Sequence, residues 1–168
     1  MKKWLLLGLV FLLICIFLPL GASAANTNVT GNVVEQLDVE INGSISNWNM
    51  AVGDNYNTNV SMVINSTGDW QASVQDAMDS SKPSIMAGRM GNWTGTAWAA
   101  GNLTFPLEVK PASGSYLNLT STSLLLDSGT PENMYNDALT FWEHIQYGDV
   151  QLKSGVYRIM VQFTGTMM

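Results

Sequence analysis

The sequence predicts an all-β protein, a single-domain β-sandwich of about seven to nine strands after an N-terminal signal segment. Three observations carry that expectation. Apolar residues fall on every second position in several short stretches, clusters of Gly, Asn, Ser and Pro separate those stretches, and the chain opens with a charged, then apolar, then small-residue order.

The opening comes first. Lys2 and Lys3 precede the apolar run WLLLGLVFLLICIFL over residues 4–18, followed by Pro19 and Gly21-Ala22-Ser23-Ala24. This is the order of a secretory signal, with cleavage expected after Ala24. The run is short of the roughly 20 residues a membrane span needs, although Pro19 and Leu20 extend it, and an uncleaved anchor is the alternative. Cys15, behind Ile14 and ahead of more apolar chain, is poorly set for lipid attachment. The expected division is a signal peptide over 1–24, a polar linker over 25–32 (ANTNVTGN) and the sandwich over 33–168, placed outside the cytoplasm as a secreted or cell-surface domain.

Seven basic residues less Lys2 and Lys3 leave five against 13 acidic ones, so the mature chain carries a formal charge of −8 with His144 neutral. A phosphate backbone wants a basic footprint, so nucleic acid is not an expected partner; neither is anionic lipid, and no membrane insertion of the mature domain is expected. Losing Cys15 with the leader leaves no disulfide, so stability must come from packing, glycans, assembly or ions. The remaining length is enough to bury a core.

Alternation begins at Leu37-Asp38-Val39-Glu40-Ile41, and Asn42-Gly43 reads as a hairpin turn because both residues tolerate left-handed backbone angles. A second strand is expected to use Trp48, Met50 and Val52, with Ile45 out of parity. Residues 53–59 read as loop. Val60, Met62 and Ile64 share one face, residues 65–69 turn the chain, and Trp70, Ala72 and Val74 alternate after it; this pair is the expected hairpin. Trp70, Val74, Ala77 and Met78 also fit a helical face, with strand preferred.

Residues 79–101 carry Pro83 and four glycines and read as a long loop over one end of the sandwich. Leu103, Phe105, Leu107 and Val109 form a strand interrupted by Pro106, which calls for an edge or a bulge. Leu117 and Leu119 continue, and residues 124–126 are a short apolar run. Residues 132–147 fit either a helix or two strand halves. In the closing segment Tyr157, Ile159, Val161 and Phe163 face one way.

Catalytic and metal chemistry have little support in the residue types. With one histidine and no mature cysteine, zinc would rest on carboxylates alone. His144 beside Glu143 has no recognisable nucleophile partner, and no pair of carboxylates stands out for glycoside hydrolysis. For calcium, Asp76 with Asp79, or Asp54 with Asn55 and Asn57, supply oxygen ligands without a specific loop signature. No catalytic residue, metal or cofactor is therefore assigned, and the protein is expected not to be an enzyme.

Asn28, Asn42, Asn59, Asn65, Asn92, Asn102 and Asn118 each open an N-x-[ST] triplet and are candidate glycan acceptors, with exposed side chains expected. Trp48 and Trp70 sit in register with strands and read as core. Trp93 and Trp98 lie in the glycine-punctuated stretch and form a candidate binding platform for sugar or protein.

Three pieces in order carry a resemblance: Ser46-x-Trp48-x-Met50 with Gly53, then Gly68-Asp69-Trp70-Gln71-Ala72-Ser73-Val74, then Ser154-Gly155-Val156-Tyr157 with Ile159, Val161 and Phe163-Thr164. The chain resembles small secreted archaeal surface domains and, more distantly, the WxL-type cell-surface domains of Gram-positive bacteria. The resemblance implies an envelope-exposed β-sandwich with no catalytic residue. Gln71 and Ala72 follow Trp70 where the bacterial group has its leucine, so cell-wall binding is not carried over. The expected function is a structural or adhesive surface protein, partnered by an envelope protein, a glycan or copies of itself. A carbohydrate-binding module is the alternative, and a secreted hydrolase ranks below it.

Overall fold

The computed structural model describes residues 30, 34–152 and 155–168. The chain divides into a unit spanning Met1–Val33 and one spanning Val34–Met168, and the second contains every strand among the described residues. The signal segment, Cys15, Asn28 and all of the linker except Thr30 lie outside them.

The fold is all-β. In chain order the strands are β1 (Leu37–Gly43), β2 (Gly53–Ser66), β3 (Trp70–Asp76), β4 (Gly91–Trp93), β5 (Trp98–Asn102), β6 (Glu108–Lys110), β7 (Leu117–Asn118), β8 (Leu124–Gly129), β9 (Glu132–Ile145), β10 (Val156–Arg158) and β11 (Val161–Met167). Every pairing is antiparallel. Five strands form one sheet in the order β1-β2-β9-β6-β7; three form a second, β11-β3-β8, and three a third, β10-β4-β5. Among the described residues, a short helix, α1 (Tyr147–Leu152), and a 3-10 turn (Ser84–Met86) interrupt them.

The core follows from the period of two. Val60, Met62 and Ile64 of β2, Val109 of β6 and Leu139 and Phe141 of β9 pack with Trp70, Ala72 and Val74 of β3 and Leu126 of β8 in a single buried cluster. Each of the Val, Leu, Ile, Met and Phe side chains contributes about 1.5–3 kcal/mol on leaving water. The Trp70 indole N–H donates to the Thr130 carbonyl (3.0 Å), and the ring lies 5.5 Å from that of Tyr135.

Eleven strands replace the expected seven to nine, and the differences have local causes. Residues 79–101, expected as loop, contain β4 and β5; the left-handed Gly95 closes a hairpin between them, held by Thr94 N–H donating to Ala97 O at 3.0 Å. The closing segment keeps its alternation but breaks after Arg158, so that β10 joins one sheet and β11 another.

The expected hairpin between residues 60–64 and 70–74 is a correction of another kind. Both strands exist, yet β2 pairs with β1 and β9 while β3 pairs with β11 and β8. Their apolar faces meet across the core, so residues 67–69 carry the chain from one sheet to the other. Alternation reports which way side chains point, not which neighbour receives the backbone hydrogen bonds.

The Asn42-Gly43 turn is also absent. Both residues finish β1 opposite Ser61 and Val60, and a β-carbon on Gly43 (φ 92°) would collide with the Asn59 carbonyl. Residues 44–52 then run as an irregular segment instead of a strand, and residues 53–59, expected as loop, open β2. Pro106 precedes β6, which lies between β9 and β7, so the proline is satisfied by shortening the strand and not by placing it at an edge. Residues 132–145 are strand throughout.

Candidate binding face on the five-stranded sheet

Antiparallel register places Tyr56 of β2 opposite Trp142 of β9, and Trp142 opposite Glu108 of β6. The next row out pairs Asp54 with His144, and Glu108 is opposite Asn118 of β7. Phe141 and Glu143 are buried, so the residues between and beside them, Trp142 and His144, face outward. Tyr116, just before β7, falls on the same side: its ring is 5.7 Å from Trp142, and Lys110 Nζ stands 5.2 Å from its centroid.

Tyr56, Tyr116, Trp142, His144 and Phe105 thus form an aromatic strip on the outer face of the sheet. Phe105 meets the His144 imidazole edge-on at 5.1 Å, and His144 lies 6.5 Å from Trp142. His144 Nδ1 is 2.6 Å from Asp54 Oδ1, with both side chains well exposed, which fixes the ring's orientation. Tyr56 is 57% exposed and Phe105 41%, so ring surface is open to solvent. The Trp142 N–H is covered and has no hydrogen-bond partner among the described residues; the indole therefore offers ring and not its donor.

Glu108 sits inside this strip. Its carboxylate has no ion-pair or hydrogen-bond partner among the described residues, and burial pushes it above the usual glutamate range. Burial also raises the Tyr116 phenol, with the nearby Tyr56 and Glu108 adding to the effect. Tyr56, Tyr116 and Glu108 therefore converge beside Trp142. Exposed rings flanked by polar groups with unused hydrogen-bonding capacity suit a ligand that has an apolar face and a polar rim.

Trp93 and Trp98, the pair singled out from sequence, are opposite each other on β4 and β5. Their rings meet edge to face at 5.1 Å and 66°, so they present no common plane. The Arg158 guanidinium lies 4.6 Å over Trp93, Lys82 Nζ lies 5.3 Å from the Trp98 centroid, and the Trp98 N–H donates to Asp79. Ser81 first, and Trp98 with it, hold the Asp79 carboxyl below its usual range. Both indoles are half-buried.

Of the candidate glycan acceptors, Asn42, Asn59 and Asn118 are exposed; Asn65 is half-buried and accepts the Met134 N–H, and Asn102 is half-buried and donates to Leu103 O. Asn92 is buried, contrary to the exposure expected of an acceptor, because β4 lies between β5 and β10.

The oxygen-rich candidates for calcium are spent within the chain. Asp76 binds Lys82 and the Gly88 N–H, Asp54 binds His144, Asn55 binds the 51–53 backbone, and Asn57 accepts the Asn59 N–H. His144 and Glu143 cannot act as a pair: neighbours on one strand, they face opposite sides of the sheet. A cleft of about 530 Å³ beside residues 45–50 is lined by Trp48, Met90, Leu103, Ile145 and Tyr157 with one carboxylate, Asp149. That carboxylate already accepts from the backbone of Thr104 and Gln146.

The aromatic strip was missed in the sequence because its members lie in separate segments, two of them read as loop or as helix-or-strand. Fold and face together define an all-β domain with an outward aromatic surface. No protein-family model matches the chain, and no curated protein matches it in sequence.

Proposed function

We propose that this is a non-enzymatic extracellular protein of the cell surface that adheres by binding carbohydrate through the outer face of its five-stranded sheet. The observation that carries this reading is the register that lines up Tyr56, Trp142 and Glu108 across three adjacent strands, with Tyr116 against the indole. Pyranose rings have apolar C–H faces that stack on exposed aromatic rings, while their hydroxyls take up carboxylate, phenol and imidazole groups at the edge. The signal-like opening and the resemblance to envelope domains support the location, and the acidic balance of the chain speaks against nucleic acid as partner.

Glycan-array binding by the exported protein tests the reading. Trp142→Ala and Tyr56→Ala are expected to weaken binding about tenfold or more each, whereas Trp93→Ala leaves it within about twofold. Loss with Trp93→Ala and retention with the other two would move the site to β4 and β5; binding to no glycan would remove it.

Self-assembly is a second reading, favoured by β8. It is the outer strand of its sheet, and Leu125 on it is 56% exposed, so its unpaired backbone can extend a neighbour's sheet. Light scattering showing a monomer at all concentrations would dismiss it.

A further inference from the structure

We propose that the Tyr56–Trp142–Tyr116 face selects glycans bearing a free, protonated amino group, with Glu108 as the residue that discriminates them from acetylated or neutral sugars. The inference rests on the carbohydrate reading above and specifies its ligand class.

Three features of the face point to a cation. First, an aromatic ring carries negative charge on its faces, and here the rings of Tyr56 and Trp142 on adjacent strands are joined by that of Tyr116 just before β7. Second, an ammonium already uses this field: Lys110 Nζ stands 5.2 Å from the Tyr116 centroid. Third, Glu108 lies across from Trp142, half-buried, with no ion-pair or hydrogen-bond partner among the described residues. A desolvated carboxylate without a counter-charge is costly, and an incoming ammonium would supply one in a charge-assisted hydrogen bond.

Lys110 also sets the geometry. It shares the outer side of β6 with Glu108, two residues along, and covers Tyr116. A cationic ligand is therefore directed to the Tyr56 and Trp142 side of Glu108, away from Lys110. Asp54, on the same outer face of β2 two residues from Tyr56, keeps that side acidic, although it already binds His144. An N-acetyl group in place of the amine would bring no charge to Glu108 and would put a methyl group against it.

The test compares three tetramers with one β-1,4 backbone: glucosamine, N-acetylglucosamine and glucose. The exported protein, made in a host without N-glycosylation, is titrated calorimetrically with each at low and physiological salt. The glucosamine tetramer is expected to bind about tenfold tighter than the other two. Glu108→Gln should reduce that preference to within about threefold, and Lys110→Ala should widen it. Because the protein is acidic, a polycation can also be held non-specifically; glucosamine-tetramer binding that survives Trp142→Ala would overturn the inference. Equal affinity for all three sugars, or a preference for the acetylated one, would overturn it while leaving the carbohydrate reading intact. Binding of none would remove both.

Discussion

Lys82 Nζ lies 2.5 Å from Asp76 Oδ2 with both side chains withdrawn from solvent, and the pair pins the segment after β3 to the rest of the domain. Asp76 also accepts from Gly88 N–H (2.8 Å) and Met78 N–H (3.3 Å), and Lys82 donates to Arg89 O (3.1 Å). One carboxylate thus gathers residues 76–89 into a closed segment, in a protein whose only cysteine is in its signal-like opening. Lys82→Met should strand a buried anion and cost roughly 3–5 kcal/mol in urea unfolding. A loss below about 1 kcal/mol would mean that water replaces the ammonium.

Position 88 in that segment tolerates no side chain. Its φ is 73°, and a β-carbon there would collide with the Leu119 carbonyl. Its own carbonyl accepts from Leu107 N–H, tying the segment to the approach to β6. Gly88→Ala is expected to cost more than about 2 kcal/mol, combining the left-handed backbone with the displacement of residue 119. Gly95→Ala, at φ 99° with open space around it, pays only the conformational part, about 1–2 kcal/mol. Equal losses at the two sites would contradict the steric account.

Glu143 makes stability depend on pH. It is fully buried on β9, neither oxygen has a hydrogen-bond partner among the described residues, and burial, helped by Asp149 and Glu108, pushes its carboxyl up to about 8. The folded state therefore binds a proton that the unfolded state, titrating near the ordinary 4.5, has released. Stability is full below about pH 4.5 on this account and falls as pH rises towards 8, by an amount on the order of a few kcal/mol. Glu143→Gln should flatten that slope, raising the melting temperature relative to the native protein above pH 8 and not below pH 4.5. An unchanged slope would show that the carboxylate is hydrated.

Glycan occupancy should follow exposure. Peptide mapping of protein taken from its native host is expected to find sugar on Asn42, Asn59 or Asn118 and none on the buried Asn92. Asn118 stands opposite Glu108, so a glycan there crowds the candidate face, and under the proposed function its enzymatic removal should strengthen carbohydrate binding. Modified Asn92 in folded protein would conflict with the position of β4.

Much of the fold was legible because its signal is local. β1, β3 and the second half of β2 alternate apolar and polar residues, and such alternation survives whatever the strand pairs with. The first half of β2 did not show. There the outward positions hold Asp54 and Tyr56 and the inward Asn55 bonds back to residues 51 and 53, so no apolar period marks the strand. β4 and β5 were hidden in the same way by glycines that serve the hairpin and the close packing against Trp98. The candidate face was not legible at all: Trp142 is found among residues that fit helix and strand equally, and Tyr56 among residues that read as loop.

By itself the sequence determined the class of structure, since a period of two with turn residues between buries one side of each strand however the strands are ordered. It also determined the acidic balance and the signal-like opening, which are sums and orders of residue types. Only the tertiary structure decided that residues 67–69 cross between sheets, that Trp93 and Trp98 meet edge-on, and that Tyr56, Trp142 and Glu108 align. Those relations depend on which backbone pairs with which, and hydrogen-bond register between distant strands leaves no mark on either strand alone.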